Sequence, residues 1–129
     1  MIYLLDVNAL LAFGVVQHQF HDRVSVWVSQ VLGELATCSI TELGFVRVLA
    51  QAPQYGVDFR QARTLLRRIK SSDRYDFAFL SDDHDIARLP EWVNSAAQST
   101  DGHLSQLARS KGGILATLDR KIPGSLLIP

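Results

Sequence analysis

The sequence predicts an α/β fold with a mainly parallel central sheet, and three observations carry that expectation. Short apolar runs recur at Ile2–Leu5, Leu35–Cys38, Phe77–Leu80 and Ile114–Leu118. Helical patterns lie between them, and alternation of this kind is the mark of α/β architecture. The run Ile114–Leu118 is apolar at nearly every position, as in a strand buried on both faces of a parallel sheet. The 129 residues suffice for one domain, 1–129, with a substantial core.

Taken in order, Ile2–Leu5 is the first strand and Asp6 stands at its C-terminal end. Asn8 is a good N-cap for an apolar helix over Ala9–Val16. Asp22 can cap a second helix to about Gly33, with Val24, Trp27, Val28, Val31 and Leu32 on or near one face. After the second strand, a third helix runs to about Gln51 and is ended by Pro53. Ser39 and Glu42 stand there at capping-box spacing. Phe59–Lys70 is an amphipathic helix: Phe59, Ala62, Leu65, Leu66 and Ile69 form its apolar side, and Arg60, Arg63, Arg67 and Lys70 line another.

A polar loop, Ser81–Asp85, follows the third strand. Pro90 and Asn94 interrupt any long helix over 86–99. Thr100 is placed to cap a helix carrying Leu104, Leu107 and Ala108, and Gly112-Gly113 can supply its left-handed stop. Leu126–Ile128 is a candidate edge strand.

Composition excludes several classes. No run approaches the ~20 apolar residues of a membrane span. The apolar N-terminus carries Asp6 and Asn8 and lacks a basic leader, so it does not read as a signal peptide, and a cytoplasmic location is expected. A single cysteine, Cys38, excludes an internal disulfide framework and a cysteine zinc site, and it reads as a small buried hydrophobe. Formal charge is zero, yet setting aside four acids leaves 13 basic against 9 acidic side chains. The total therefore does not exclude a polyanionic substrate.

Those four acids are Asp6, Glu42, Asp101 and Asp119. Sites in open parallel sheets form outside the C-terminal strand ends. Asp6 and Asp119 are at such ends, and Glu42 begins a helix that follows a strand. Asp101 begins a helix that precedes its strand, which sets it at the opposite edge unless residues 86–99 carry it across. Singly, each acid has a plain structural reading as a cap, a first-turn acid or a turn former. Together they would repel one another unless a cation compensates. Oxygen ligands without cysteine favour Mg²⁺ or Mn²⁺, which suits phosphoryl chemistry with a metal-activated water.

The motifs DVNAL, ATCSITELGFVRVL, STDGHLSQLA and LATLDR, with HDRVSVW between them, resemble the PIN-domain family and, more closely, the VapC-type toxins of prokaryotic toxin–antitoxin pairs. The resemblance implies a three-layer α/β/α sandwich and a Mg²⁺-dependent RNA endonuclease, with Mn²⁺ able to substitute. It puts Asp6, Asp101 and Asp119 at the metal, with Glu42 completing a catalytic quartet. Asn8 and Thr117 would orient carboxylates or water, and Arg47 would pair with an acid or meet phosphate. It also implies a cognate antitoxin, and exposed apolar residues of the early helices would serve that contact or a homodimer. Gly102 departs from the family's usual alanine, and Lys121-Ile122 from its usual glycine–aromatic pair.

Two other readings compete. A haloacid-dehalogenase-like phosphatase also uses an acid after strand one, but it needs a second Asp where this chain has Asn8. The other is an inactive RNA- or protein-binding module of the same fold. The Arg60, Arg63, Arg67 and Lys70 stripe is either a solvated helix face or a track for RNA phosphates. His18, His21 and His84 are not at ligand spacing, and His21 reads as packing or capping at a helix start. His103 reads as structural or solvent-facing, and Asp82, Asp83, His84 and Asp85 as a solvated turn.

Overall fold

The computed structural model describes residues Met1–Pro129. Its strands are β1 (Ile2–Leu5), β2 (Glu34–Cys38), β3 (Phe77–Leu80), β4 (Gly113–Thr117) and β5 (Leu126–Leu127). They form one sheet in the order β3-β2-β1-β4-β5, and every neighbouring pair is parallel. The helices are α1 (Val7–Gly14), α2 (His21–Gln30), α3 (Ser39–Gln51), α4 (Phe59–Lys70) and α5 (Ser99–Ser110). No helix is long and apolar enough to cross a membrane.

Strand alternation divides the core in two. Leu5, Leu35 and Ala116 pack with the buried residues of α1 to α4, among them Leu10, Val24, Trp27, Phe45, Leu49 and Leu66. Leu4, Ala36, Cys38, Leu80 and Leu115 face the other way and pack with Leu104, Leu107 and Ala108 of α5. The result is an α/β/α sandwich with four helices on one face and one on the other.

Several helix starts differ from expectation. Asp6, not Asn8, caps α1, because its carboxylate accepts the Ala9 N–H at 2.8 Å. Phe20 stands at the N-cap of α2, with Asp22 inside its first turn, and the helix stops at Gln30 rather than near Gly33. The box at the start of α3 is shifted by one residue: the Thr41 hydroxyl accepts the Cys38 N–H at 3.0 Å, which frees Glu42 for other partners. Thr100 lies inside α5, whose N-cap is Gln98. The amphipathic helix α4 has the expected bounds, and the reciprocal cap of Asp58 and Gln61 fixes its start.

Residues 86–98 hold two short 3₁₀ turns, Ile86–Arg88 and Ala96–Gln98, rather than a helix. Gly102 accounts for how closely this segment sits on α5, since a Cβ there would lie 2.1 Å from Val93 Cγ2. At the other end of α5, Gly112 adopts φ +77°, the left-handed turn that stops the helix and starts β4.

Candidate metal centre

Asp6 is the most enclosed of the four acids, with 7% of its surface exposed. One carboxylate oxygen accepts the Ala9 N–H, and the other accepts the Thr117 hydroxyl at 2.5 Å. The Thr117 oxygen in turn accepts the Asp119 N–H at 3.0 Å, so one hydroxyl ties the ends of β1 and β4 together. The Asp119 carboxylate accepts the Lys121 N–H at 2.9 Å, which fixes the turn despite the unusual Lys121-Ile122 pair.

Asp101 arrives at this same edge, against expectation. The reason is chain direction: α5 feeds the start of β4 through Gly112, so its last turn lies at the N-terminal edge of the sheet. Its 12 residues then span ~18 Å back across the sheet, and its first turn opens at the C-terminal edge. The segment 86–98 is not what carries Asp101 there.

Asp6, Asp101 and Asp119 therefore line one hollow of about 400 Å³, together with Val7, Asn8, Leu11, Val48, Thr100 and Leu104. No Lys or Arg is among these residues. Burial raises the Asp6 carboxyl above its usual range; the Thr117 and Ala9 hydrogen bonds oppose that rise, and the Asp101 and Asp119 charges add to it. Asp101 is raised as well, by burial first and then by Asp119. Three acids thus repel each other at the mouth of a site that holds no protein cation.

This donor set fits a hard divalent cation: it is all oxygen and its charge is uncompensated. No three His, Cys, Asp or Glu side chains stand as a closed three-ligand cage. Magnesium does not need one, since it keeps several waters and takes one or two carboxylates directly.

Glu42 stands apart. Thr37 shares the face of Leu35 by alternation, and its hydroxyl donates to Glu42 at 2.5 Å. Lys70 of α4 donates to the same Glu42 oxygen at 2.5 Å. Glu42 so belongs to a neighbouring hollow of about 480 Å³, lined by Ser39, Leu43, Val46, Phe59, Arg63, Leu66, Arg67 and Phe79. The stripe expected on α4 consequently divides. Lys70 is tied to Glu42 and lies 5.3 Å from the Phe79 ring centre. Arg63 and Arg67 rim the groove, and Arg60 is exposed. Arg47 is exposed and pairs with no acid.

The loop after β3 is more than a solvated turn. Asp82 pairs with His103 of α5, and the His84 ring is buried beside them. His103 is accordingly structural, and His21, at the start of α2, donates from Nδ1 to the Ala12 carbonyl at 2.8 Å. Sequence reasoning missed Thr37 and the contact of His18 with Asn8. A hydroxyl near a strand end, as at Thr117, was the one available signal for the first; the second joins residues ten apart through a turn and has no sequence signature.

Comparison with known proteins bears on this geometry. The PIN domain family model matches residues 3–123. Ribonuclease VapC29 of Mycobacterium tuberculosis is 35% identical over 92% of this chain and 86% of its own length. The crystal structure of VapC20 from the same organism, a sarcin–ricin loop cleaving toxin, superposes with a TM-score of 0.66 at 15% identity and covers 98% of both chains. VapBC2 from Rickettsia felis, bound to a DNA fragment from its promoter, gives 0.60 at 14% identity, over 98% of this chain and 96% of that one. At such identities the two structures speak for the fold alone.

Proposed function

The chain belongs to the PIN-domain family, and from that premise we propose that it is a divalent-metal-dependent endoribonuclease, the toxin of a toxin–antitoxin pair. The observation that carries the proposal is the hollow into which three chain segments deliver Asp6, Asp101 and Asp119 with no basic side chain among its lining. The identity to Ribonuclease VapC29 supports RNA as the substrate.

In this reading Asp6, Asp101 and Asp119 hold a cation, Mg²⁺ by preference and Mn²⁺ as a substitute. When bound, the cation activates water and neutralises the charge that develops on the phosphate and the departing oxygen. Asp6 is the fixed member, because both its oxygens are already held by Ala9 and Thr117. Thr117 sets the spacing of Asp6 and Asp119 by contacting both. Asn8 places a neutral amide at the rim. Glu42 acts from outside the trio, as the acid that fixes Lys70 beside Phe79 in the adjoining groove. Arg63, Arg67 and the exposed Arg60 offer positive charge to RNA phosphates on that side, and the exposed Arg47 offers it from α3. Water attacks phosphorus in line, the bond from phosphorus to the 3′ oxygen breaks, and the products carry 5′-phosphate and 3′-hydroxyl ends.

The residues 1–129 act as one nuclease domain in the cytoplasm, as a homodimer, held inactive by a cognate antitoxin. Exposed Val16, Val26 and Leu32 on and beside α1 and α2 offer apolar surface for those contacts.

The test is expression of the wild type and Asp6→Asn in cells, with mapping of RNA ends. Growth arrest and new 5′-phosphate ends with the wild type alone are expected. Equal cleavage by Asp6→Asn would remove the metal-site assignment.

A further inference from the structure

Among the residues lining the acidic hollow, only Asn8 and Thr100 carry a side-chain N–H or O–H; the other polar members are carboxylates. Which end of the Asn8 amide faces the hollow therefore decides whether the site offers a phosphate a donor or one more acceptor.

The turn between α1 and α2 settles that choice. The backbone N–H of Phe20 donates to His18 Nδ1 at 3.1 Å. A backbone N–H can only donate, so Nδ1 is the bare nitrogen and the proton of the neutral ring sits on Nε2. His18 Nε2 lies 3.0 Å from Asn8 Oδ1, and the protonated nitrogen must donate there. The Asn8 oxygen is thereby committed to the turn, and its NH₂ group is turned away from His18. The turn itself is braced by His18 N–H to the Val15 carbonyl and His21 N–H to the His18 carbonyl, both at 3.0 Å. Burial and the neighbouring His21 lower the His18 pKa, which keeps the ring in its neutral form.

We propose that His18 is a positioning residue of the nuclease: through a tautomer fixed by the Phe20 backbone, it holds the Asn8 amide with its NH₂ toward the acidic hollow, ready to donate to a non-bridging phosphate oxygen of the RNA. Without His18 the amide is free to rotate and present its oxygen to the phosphate and carboxylates, where acceptor would face acceptor. This inference rests on the nuclease reading above.

Two substitutions divide the contacts of His18. Asn in its place keeps an acceptor near the Nδ1 position for Phe20 and loses the reach to Asn8. Gln keeps an N–H near the Nε2 position for Asn8 and loses the Phe20 bond. The substrate is a short single-stranded RNA, labelled with a fluorophore and a quencher, that spans the site mapped in cells. Cleavage is followed at saturating Mg²⁺ by wild type, His18→Asn, His18→Gln, Asn8→Ala, Asp101→Asn and the double variant His18→Asn with Asn8→Ala. We expect His18→Asn to lose about 10-fold in kcat with little change in KM, the usual size for a group that orients a site residue. His18→Gln should recover most of that loss, and His18→Asn should slow Asn8→Ala no further. Thermal melting of each variant checks that the fold is intact.

Full activity in His18→Asn would overturn the proposal. So would equal losses in the Asn and Gln variants, or a full further loss on the Asn8→Ala background, since each would make the ring a brace of the turn only. If Asp101→Asn cleaves as fast as wild type, the metal-site assignment on which the nuclease reading rests fails. If Asp101→Asn is inactive and His18→Asn is not, only the role of His18 falls.

Discussion

Two hollows open side by side beside the C-terminal end of the sheet, and they treat acidic charge in opposite ways. In one, Asp6, Asp101 and Asp119 converge with no basic partner, and burial raises Asp6 and Asp101. In the other, Glu42 is satisfied by Lys70 and Thr37, above a floor of Phe59, Leu66 and Phe79 and a rim of Arg63 and Arg67. A folded chain tolerates unpaired buried acids when a ligand supplies the missing charge. The contrast thus separates a hollow whose acidic charge is uncompensated from one whose acid is already paired; on the proposed reading the first takes the cation and the second lies along the polyanion.

The sharpest way to break this contrast is to neutralise one acid from each hollow. Asp101→Asn should lower RNA cleavage by about 100-fold or more, since groups that merely orient metal-site residues are worth 10–100-fold. Glu42→Gln should cost no more than about 5-fold in cleavage and ~1 kcal/mol or less in stability, the scale of a partly exposed ion pair. If the Glu42 variant is as inactive as the Asp101 variant, Glu42 swings into the acidic trio during turnover and the two hollows are one site. Gln at both Arg63 and Arg67 probes the groove alone. RNA affinity should fall uniformly across sequences, and the salt slope of binding should become shallower by about 1.4, or ~0.7 per phosphate contact on a single strand. An unchanged slope would take RNA off this groove.

The smallest effect is one of stability. Asp6 and Asp101 have raised pKa values in the folded chain, so above the unfolded carboxyl value of 3.8 the folded state holds more protons than the unfolded one. Their contribution to stability is therefore present at low pH and is lost as pH rises through the folded pKa values toward neutrality. Without metal, Asp6→Asn should melt higher than wild type at pH 7, by on the order of 1 kcal/mol or ~3 °C. Adding Mn²⁺ should stabilise the wild type and leave the variant nearly unmoved. A wild type that melts higher than Asp6→Asn in chelator would show that the trio carries no stored repulsion.

Much of this was legible in the residues. The order of strands and helices followed from apolar runs, and the bounds of α4 from its period and its Pro-free, Arg-rich face. Convergence of Asp6 and Asp119 followed from the rule that parallel strands end together. Asp101 was placed at the wrong edge because the helix was considered without its direction: a helix that leads into a strand starts where that strand ends. The cap reading of Glu42 fails for a different reason. Its spacing from Ser39 fits a cap, but the helix begins one residue off that register, and its partner Lys70 lies 28 residues away. Residues 86–98 were opaque because 3₁₀ turns around Pro90 leave no periodicity. Even the odd glycine at 102 gains its meaning only from Val93 packed against it.

The hydrogen bond from Thr117 to Asp6 has a consequence in time. It joins residues 111 apart, and β1 finds β4 only after everything between them has been made. At ~5–20 residues per second, that interval is roughly 5–20 s of translation. Throughout it the first acid exists without Asp119 and without the hydroxyl that links them. The hollow that gathers Asp6, Asp101 and Asp119 is therefore assembled late and all at once.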